Sequence, residues 1–125
     1  MTEGTGASRG VVALAALFGL AAVAAGAFAT HGLKQKGLVE AAGWVETASR
    51  YQMWHALAML LTAVLLPGAR AVPWLFAGGI VLFSGSLYLL AAEGPRFMVF
   101  LTPLGGLLFL LGWTLFAFRA WRGSP

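Results

Sequence analysis

Residues 50–61 read RYQMWHALAMLL. An arginine, a glutamine and a histidine open a segment that then turns wholly apolar, and what surrounds that segment decides the fold. Hydrocarbon tolerates charged and imidazole groups least of all side chains, so their place at the mouth of an apolar helix needs a reason. Composition identifies the solvent. Of 125 residues, 60% are hydrophobic and 10% charged, whereas a soluble domain has about a quarter of its residues charged. The mean hydropathy is +0.86. The apolar residues are too many for one core and fall in long runs, so lipid solvates the outside of a single domain.

Working outward from 50–61, four apolar stretches emerge, at 10–30, 51–66, 73–92 and 97–118. About 20 residues at 1.5 Å rise cross a hydrocarbon core of about 30 Å. Three stretches meet that length; 51–66 is short and borrows from what precedes it. All four are helical, because helices satisfy their own backbone groups in lipid and a small open sheet does not. Arg9 and the run ending in Ala27-Phe28-Ala29 also read as a signal peptide with its cleavage site. The run is longer than a signal core and another membrane segment follows, so it is expected to be retained.

The connections PGARAVP (67–73) and EGPR (93–96) are short and rich in turn formers, which makes spans two, three and four antiparallel neighbours. The loop after span one is longer and turns helical from Leu38, with Leu38, Ala42, Val45 and Ala48 or Ser49 on one face. Glu46 and Arg50 stand at i, i+4, the spacing of a weak surface pair. The expected fold is all-α: an integral membrane four-helix bundle with a short interfacial helix, 38–50, between spans one and two. Small residues suggest how it packs. Ala15, Gly19, Ala22, Gly26 and Ala29 line one side of span one, and Gly78/Gly85, Gly79/Ser86 and Gly105/Gly112 are each seven apart. That spacing suits close helix crossings in lipid.

Charge and cysteine content exclude several functions. Without cysteine there is no disulfide, thiolate metal site or cysteine nucleophile. Eight basic residues against four acids give +4, but they are scattered, and no basic run of the kind that captures nucleic acid is present. They divide four and four between the two ends of the spans, so charge bias assigns no orientation unless Arg50 is discounted as intrahelical. With that discount both termini are cytoplasmic.

The polar residues of the spans are the candidate site. Thr47, Tyr51, His55, Ala58 and Thr62 form one stripe on span two, which turns His55 toward the other helices. Arg50 and Gln52 are then expected at headgroup depth, with Tyr51 and Trp54 in the aromatic belt. Ser84, Tyr88 and Thr102 are the expected hydrogen-bond partners of His55. His31, at the end of span one, either caps that helix or approaches His55. Two histidines with Glu40 or Glu46 match no metal-ligand spacing, so no metal or other cofactor is expected. Ser84, Ser86 and Tyr88 in FSGSLY are interhelical hydrogen-bonding groups; no G-x-S-x-G accompanies the serines. Pro103 in TPLGG either kinks span four or sits at the first position of a helix capped by Thr102, behind a short half-helix. The kink is the default.

GAFATHGL, ETASRYQMWHALA, FSGSLY and TPLGGL, in this order and spacing across nearly the whole chain, resemble the domain of unknown function 423 family. That family, also uncharacterised protein family 0382, comprises small four-span bacterial membrane proteins with animal homologues named transmembrane protein 256. Ala29-Thr30 departs from the Gly-Ala that family members often carry before His-Gly. The resemblance implies an integral protein of the bacterial inner membrane and supplies no catalytic residues. Two function classes follow. One is a non-enzymatic packing or accessory protein whose partners are the lipid bilayer, further copies of itself or a larger membrane protein. The other is a proton or small-solute conduit that uses His31, His55 and the break at Pro103.

Overall fold

The computed structural model describes residues 6–123, and within them every element is helical. Helix α1 (Gly6–Phe28) runs on through a π-helical turn, Ala29–Leu33, and a 3-10 turn, Lys34–Lys36. Gly37 stops it. At φ 82° the glycine takes the left-handed conformation, its N–H bonds to the Lys34 carbonyl, and the Leu38 N–H reaches back to Leu33. This glycine-centred double closure satisfies the last carbonyls of the helix. Helix α2 (Val39–Leu65) follows at once. Helix α3 (Ala71–Gly79), a π-helical turn (Ile80–Ser84) and α4 (Gly85–Ala91) together form one rod. A 3-10 turn, Arg96–Phe100, leads into α5 (Leu101–Arg122).

Three of these helical stretches, Arg9–Lys36, Ala71–Ala91 and Arg96–Arg122, are long and apolar enough to cross a membrane. The sequence divides 38–66 into an interfacial helix, 38–50, and a second span, 51–66; the structure joins them in one unbroken helix, Val39–Leu65. Its first half is packed rather than splayed. Ala42 and Val45 are buried against Ala29 of α1, with Tyr88 and Ala91 of α4 beside them. Leu38, expected on the same packed face, is 50% exposed.

Helix α2 is the centre of the bundle. It lies antiparallel to α1, so that Val11 and Ala15 share a core with Ala58 and Met59, while Ala29 packs at the other end with Ala42 and Val45. The small side of α1 is what permits this approach. Ala15, Ala22 and Ala29 are buried, Gly19 faces Met53, and Gly26 faces the Ser49 hydroxyl. On its other side α2 meets the α3–α4 rod, and the rod meets α5 at a glycine crossing. A Cβ on Gly105 would overlap the backbone of Phe83, and one on Gly79 would stand 3.0 Å from the Gly105 carbonyl. Gly112 takes the ring of Phe76 in the same way. In lipid, such close approach supplies the van der Waals contact that holds helices together.

Candidate functional site: a polar ladder inside the bundle

The buried polar side chains are Gln52, His55, Thr62, Ser84 and Ser86, and each has a hydrogen-bond partner within the protein. Gln52 is 3% exposed. Its Nε2 donates to the Phe18 carbonyl of α1 at 2.7 Å, and its Oε1 accepts from the Tyr88 hydroxyl of α4 at 2.7 Å. One amide thus joins three helices. The antiparallel register of α1 and α2 sets residue 52 beside Phe18, so the amide expected among the headgroups is buried between α1 and α4.

One turn further, the His55 ring lies inside an aromatic enclosure. Phe109 stacks on it with centroids 3.6 Å apart and planes 8° from parallel. Phe76 packs at 5.5 Å, and Tyr51 lies nearly parallel at 6.2 Å. Tyr51 also packs on Phe83 at 4.8 Å, so its ring belongs to this cluster. The ring nitrogens are both engaged, Nδ1 with the Tyr51 carbonyl at 2.7 Å and Nε2 with the Trp113 indole N–H at 3.0 Å. An indole N–H only donates, so Nε2 accepts and the proton sits on Nδ1, facing the carbonyl. None of the three expected partners, Ser84, Tyr88 and Thr102, bonds to His55. Trp113 was missed. A tryptophan deep in an apolar span must place its N–H somewhere, and that signal was available in LLGWTL.

The remaining polar residues form further rungs. Ser84 ends the π-helical turn and donates to the Ala48 carbonyl of α2 at 2.7 Å. Ser86 donates to the Phe83 carbonyl and shares a 2.5 Å hydroxyl–hydroxyl bond with Thr102 of α5. Thr102 therefore bonds across to the rod and does not cap its own helix; Phe100 occupies the cap position. Pro103 falls within the first turn of α5, where its missing N–H is no loss. The break lies before it, in the 3-10 turn, and the helix is not kinked in mid-span by a proline. Glu46 pairs with Lys34 at 2.9 Å, the single ion pair among the described residues, in place of the expected bond to Arg50. The α1–α2 hairpin brings Lys34 to it, and Arg50 is left exposed. His31 is exposed and bonds the Ala27 carbonyl one turn back at 3.2 Å. It does not approach His55: the end of α1 packs at Val45, ten residues from His55, about 15 Å of helix rise.

The arrangement fastens helices together. His55 is walled by rings, and two clefts lie at the two ends of the bundle. One, of about 60 Å³, is lined by Val11, Thr62 and Arg70; the other, of about 1040 Å³, lies between the start of α2 and the turn leading into α5. Among the described residues no group of three or more His, Asp or Glu is placed to hold a metal ion.

Residues 25–106 match the family model described as protein of unknown function DUF423. A UPF0382 membrane protein of Haemophilus influenzae is 43% identical over 119 residues, 89% of this chain and 93% of the relative. The Escherichia coli K12 protein named UPF0382 inner membrane protein YgdD is 43% identical over 122 residues, 92% of each chain. A UPF0382 membrane protein of Staphylococcus saprophyticus is 40% identical over 109 residues, covering 83% of this chain and 90% of its own. No solved structure matches the chain.

Proposed function

Since this chain belongs to the DUF423 (UPF0382) family and is a multi-pass protein of the inner membrane, we propose that it is a non-enzymatic four-span bundle acting as a packing or accessory protein. The observation that supports this most directly is the saturation of its polar interior. Among the described residues every buried polar side chain is bonded to a partner on its own or a neighbouring helix, and His55 has both nitrogens occupied. A nucleophile, general base or ion relay needs a group with a free valence facing a substrate or a wet path. The ladder Phe18–Gln52–Tyr88 and the pair His55–Trp113 use theirs on the fold.

The fourth span is α2 from about Ala48 onward. From Ala48 to Leu65 is 18 residues, about 27 Å of helix, and this length is flanked by α1 on one side and by the rod on the other. A helix enclosed between membrane-spanning helices shares their depth. Glu40, Glu46 and Arg50 then belong to the first turns, at the headgroup end. Paired reporters fused to the two termini test the span count. Four spans return both termini to one side, and opposite-side signals sink the proposal. Reconstitution tests the rest: vesicles carrying the protein should hold a pH gradient as long as empty vesicles. A faster decay that His55→Leu abolishes would instead establish the conduit.

A further inference from the structure

The 1040 Å³ groove lies where α1 has ended, α2 begins and the α4–α5 connection turns, at the headgroup end of the spans Arg9–Lys36, Ala71–Ala91 and Arg96–Arg122. Leu38, Trp44, Phe97 and Phe100 give it apolar walls, and all four are exposed. Glu40, Glu93 and Arg96 are set among them. Among the described residues the one ion pair is Lys34–Glu46, so two carboxylates and a guanidinium line this groove without pairing to one another.

We propose that the groove docks one phospholipid with a primary-amine headgroup, its phosphate on Arg96, its ammonium between Glu40 and Glu93, and its chains along the Trp44 and Phe97 side. Charge complementarity selects this occupant. A guanidinium matches a phosphodiester in bidentate geometry, and an ammonium carries three N–H donors for carboxylate acceptors. A glycerol headgroup brings the phosphate but no cation, and leaves both carboxylates facing an anion. A choline headgroup carries the cation without an N–H to donate. The site goes beyond the bundle reading and survives whatever the span count of α2, because its lining is set by the ends of the helices.

The test uses the full chain, purified and exposed to an equimolar mixture of phosphatidylethanolamine, phosphatidylcholine and phosphatidylglycerol, with retained lipid counted by native mass spectrometry. One phosphatidylethanolamine per chain is expected, favoured about fivefold over either competitor, equivalent to about 1 kcal/mol at 1.4 kcal/mol per factor of ten. Glu40→Gln with Glu93→Gln should abolish the preference over phosphatidylcholine, and Arg96→Gln should lower retention of all three. Circular dichroism checks that the variants keep wild-type helicity. Equal retention of the three lipids overturns the proposal, as does a preference that survives the double substitution. Displacement of the lipid by glycerophosphoethanolamine, which has no chains, overturns the assignment to a lipid and makes the site one for a free amine.

Discussion

Two adjacent glycines at the crossing of the rod and α5 should respond in opposite directions to the same substitution. At Gly105 a new methyl would meet the Phe83 nitrogen, its Cα at 2.8 Å and its Cβ at 2.8 Å. These atoms are backbone or fixed to it, so no rotamer change relieves the overlap. Restoring a normal separation of about 3.5–4.0 Å requires the helices to part by roughly 1 Å. Overpacking of this kind costs about 1–3 kcal/mol, against about 0.5–1 kcal/mol gained when alanine replaces glycine within a helix. Gly105→Ala should therefore lose about 1–2 kcal/mol. At Gly106 nothing lies within 4 Å, and Gly106→Ala should gain about 0.5–1 kcal/mol. Unfolding in mixed micelles by dodecyl sulfate titration, followed by circular dichroism, measures both. Phe109 lies one turn beyond Gly105 and stacks on His55, so the Gly105 variant should also disturb Trp113 fluorescence. Shifts of the same sign at the two positions, or a Gly105 variant as stable as wild type, would refute the crossing described above.

The other outcomes follow from the polar ladder and the helix ends. A double-mutant cycle of Gln52→Leu and Tyr88→Phe, read by the same titration, should give a coupling of about 0.6 kcal/mol and no more than about 1.7; additive effects would mean the two side chains do not touch. His55→Leu removes the acceptor of the Trp113 N–H and should cost a similar modest amount, with folding retained, whereas His55→Lys sets a charge among Phe76, Phe109 and Tyr51 and should prevent detergent-stable folding. Equal tolerance of the two by size-exclusion chromatography would place residue 55 in a wet setting. Glu93 has a φ of 63° at the end of α4, where its N–H bonds to the Leu90 carbonyl and that of Gly94 to Leu89. A left-handed residue there favours glycine by about 1 kcal/mol. Glu93→Gly should raise stability by that amount while lowering retention of phosphatidylethanolamine, a trade that a site residue held at some cost to the fold predicts.

By itself the sequence determined the solvent, and through it the class. With 60% hydrophobic residues in long runs, lipid is the surroundings, and in lipid a chain of this length satisfies its backbone groups only as helices. The small residues of α1, from Ala15 to Ala29, also announced their packing side, because side-chain size is local and needs no knowledge of the neighbour. The stripe through His55 and Thr62 was legible for a related reason: polar groups in an apolar helix must turn inward. What the tertiary structure alone decided is register. In water, alternation of polar and apolar residues tells which side of a helix is covered. In a membrane the lipid side and the core side are both apolar, so nothing local revealed that α2 is covered on two sides, or that Gln52 lies beside Phe18. Glu46 took Lys34 over Arg50, and His55 took Trp113 over the hydroxyls of Ser84, Tyr88 and Thr102. Those pairings depend on how far one helix slides along another, and close approach at glycines and alanines sets that slide, with atoms far apart in the chain.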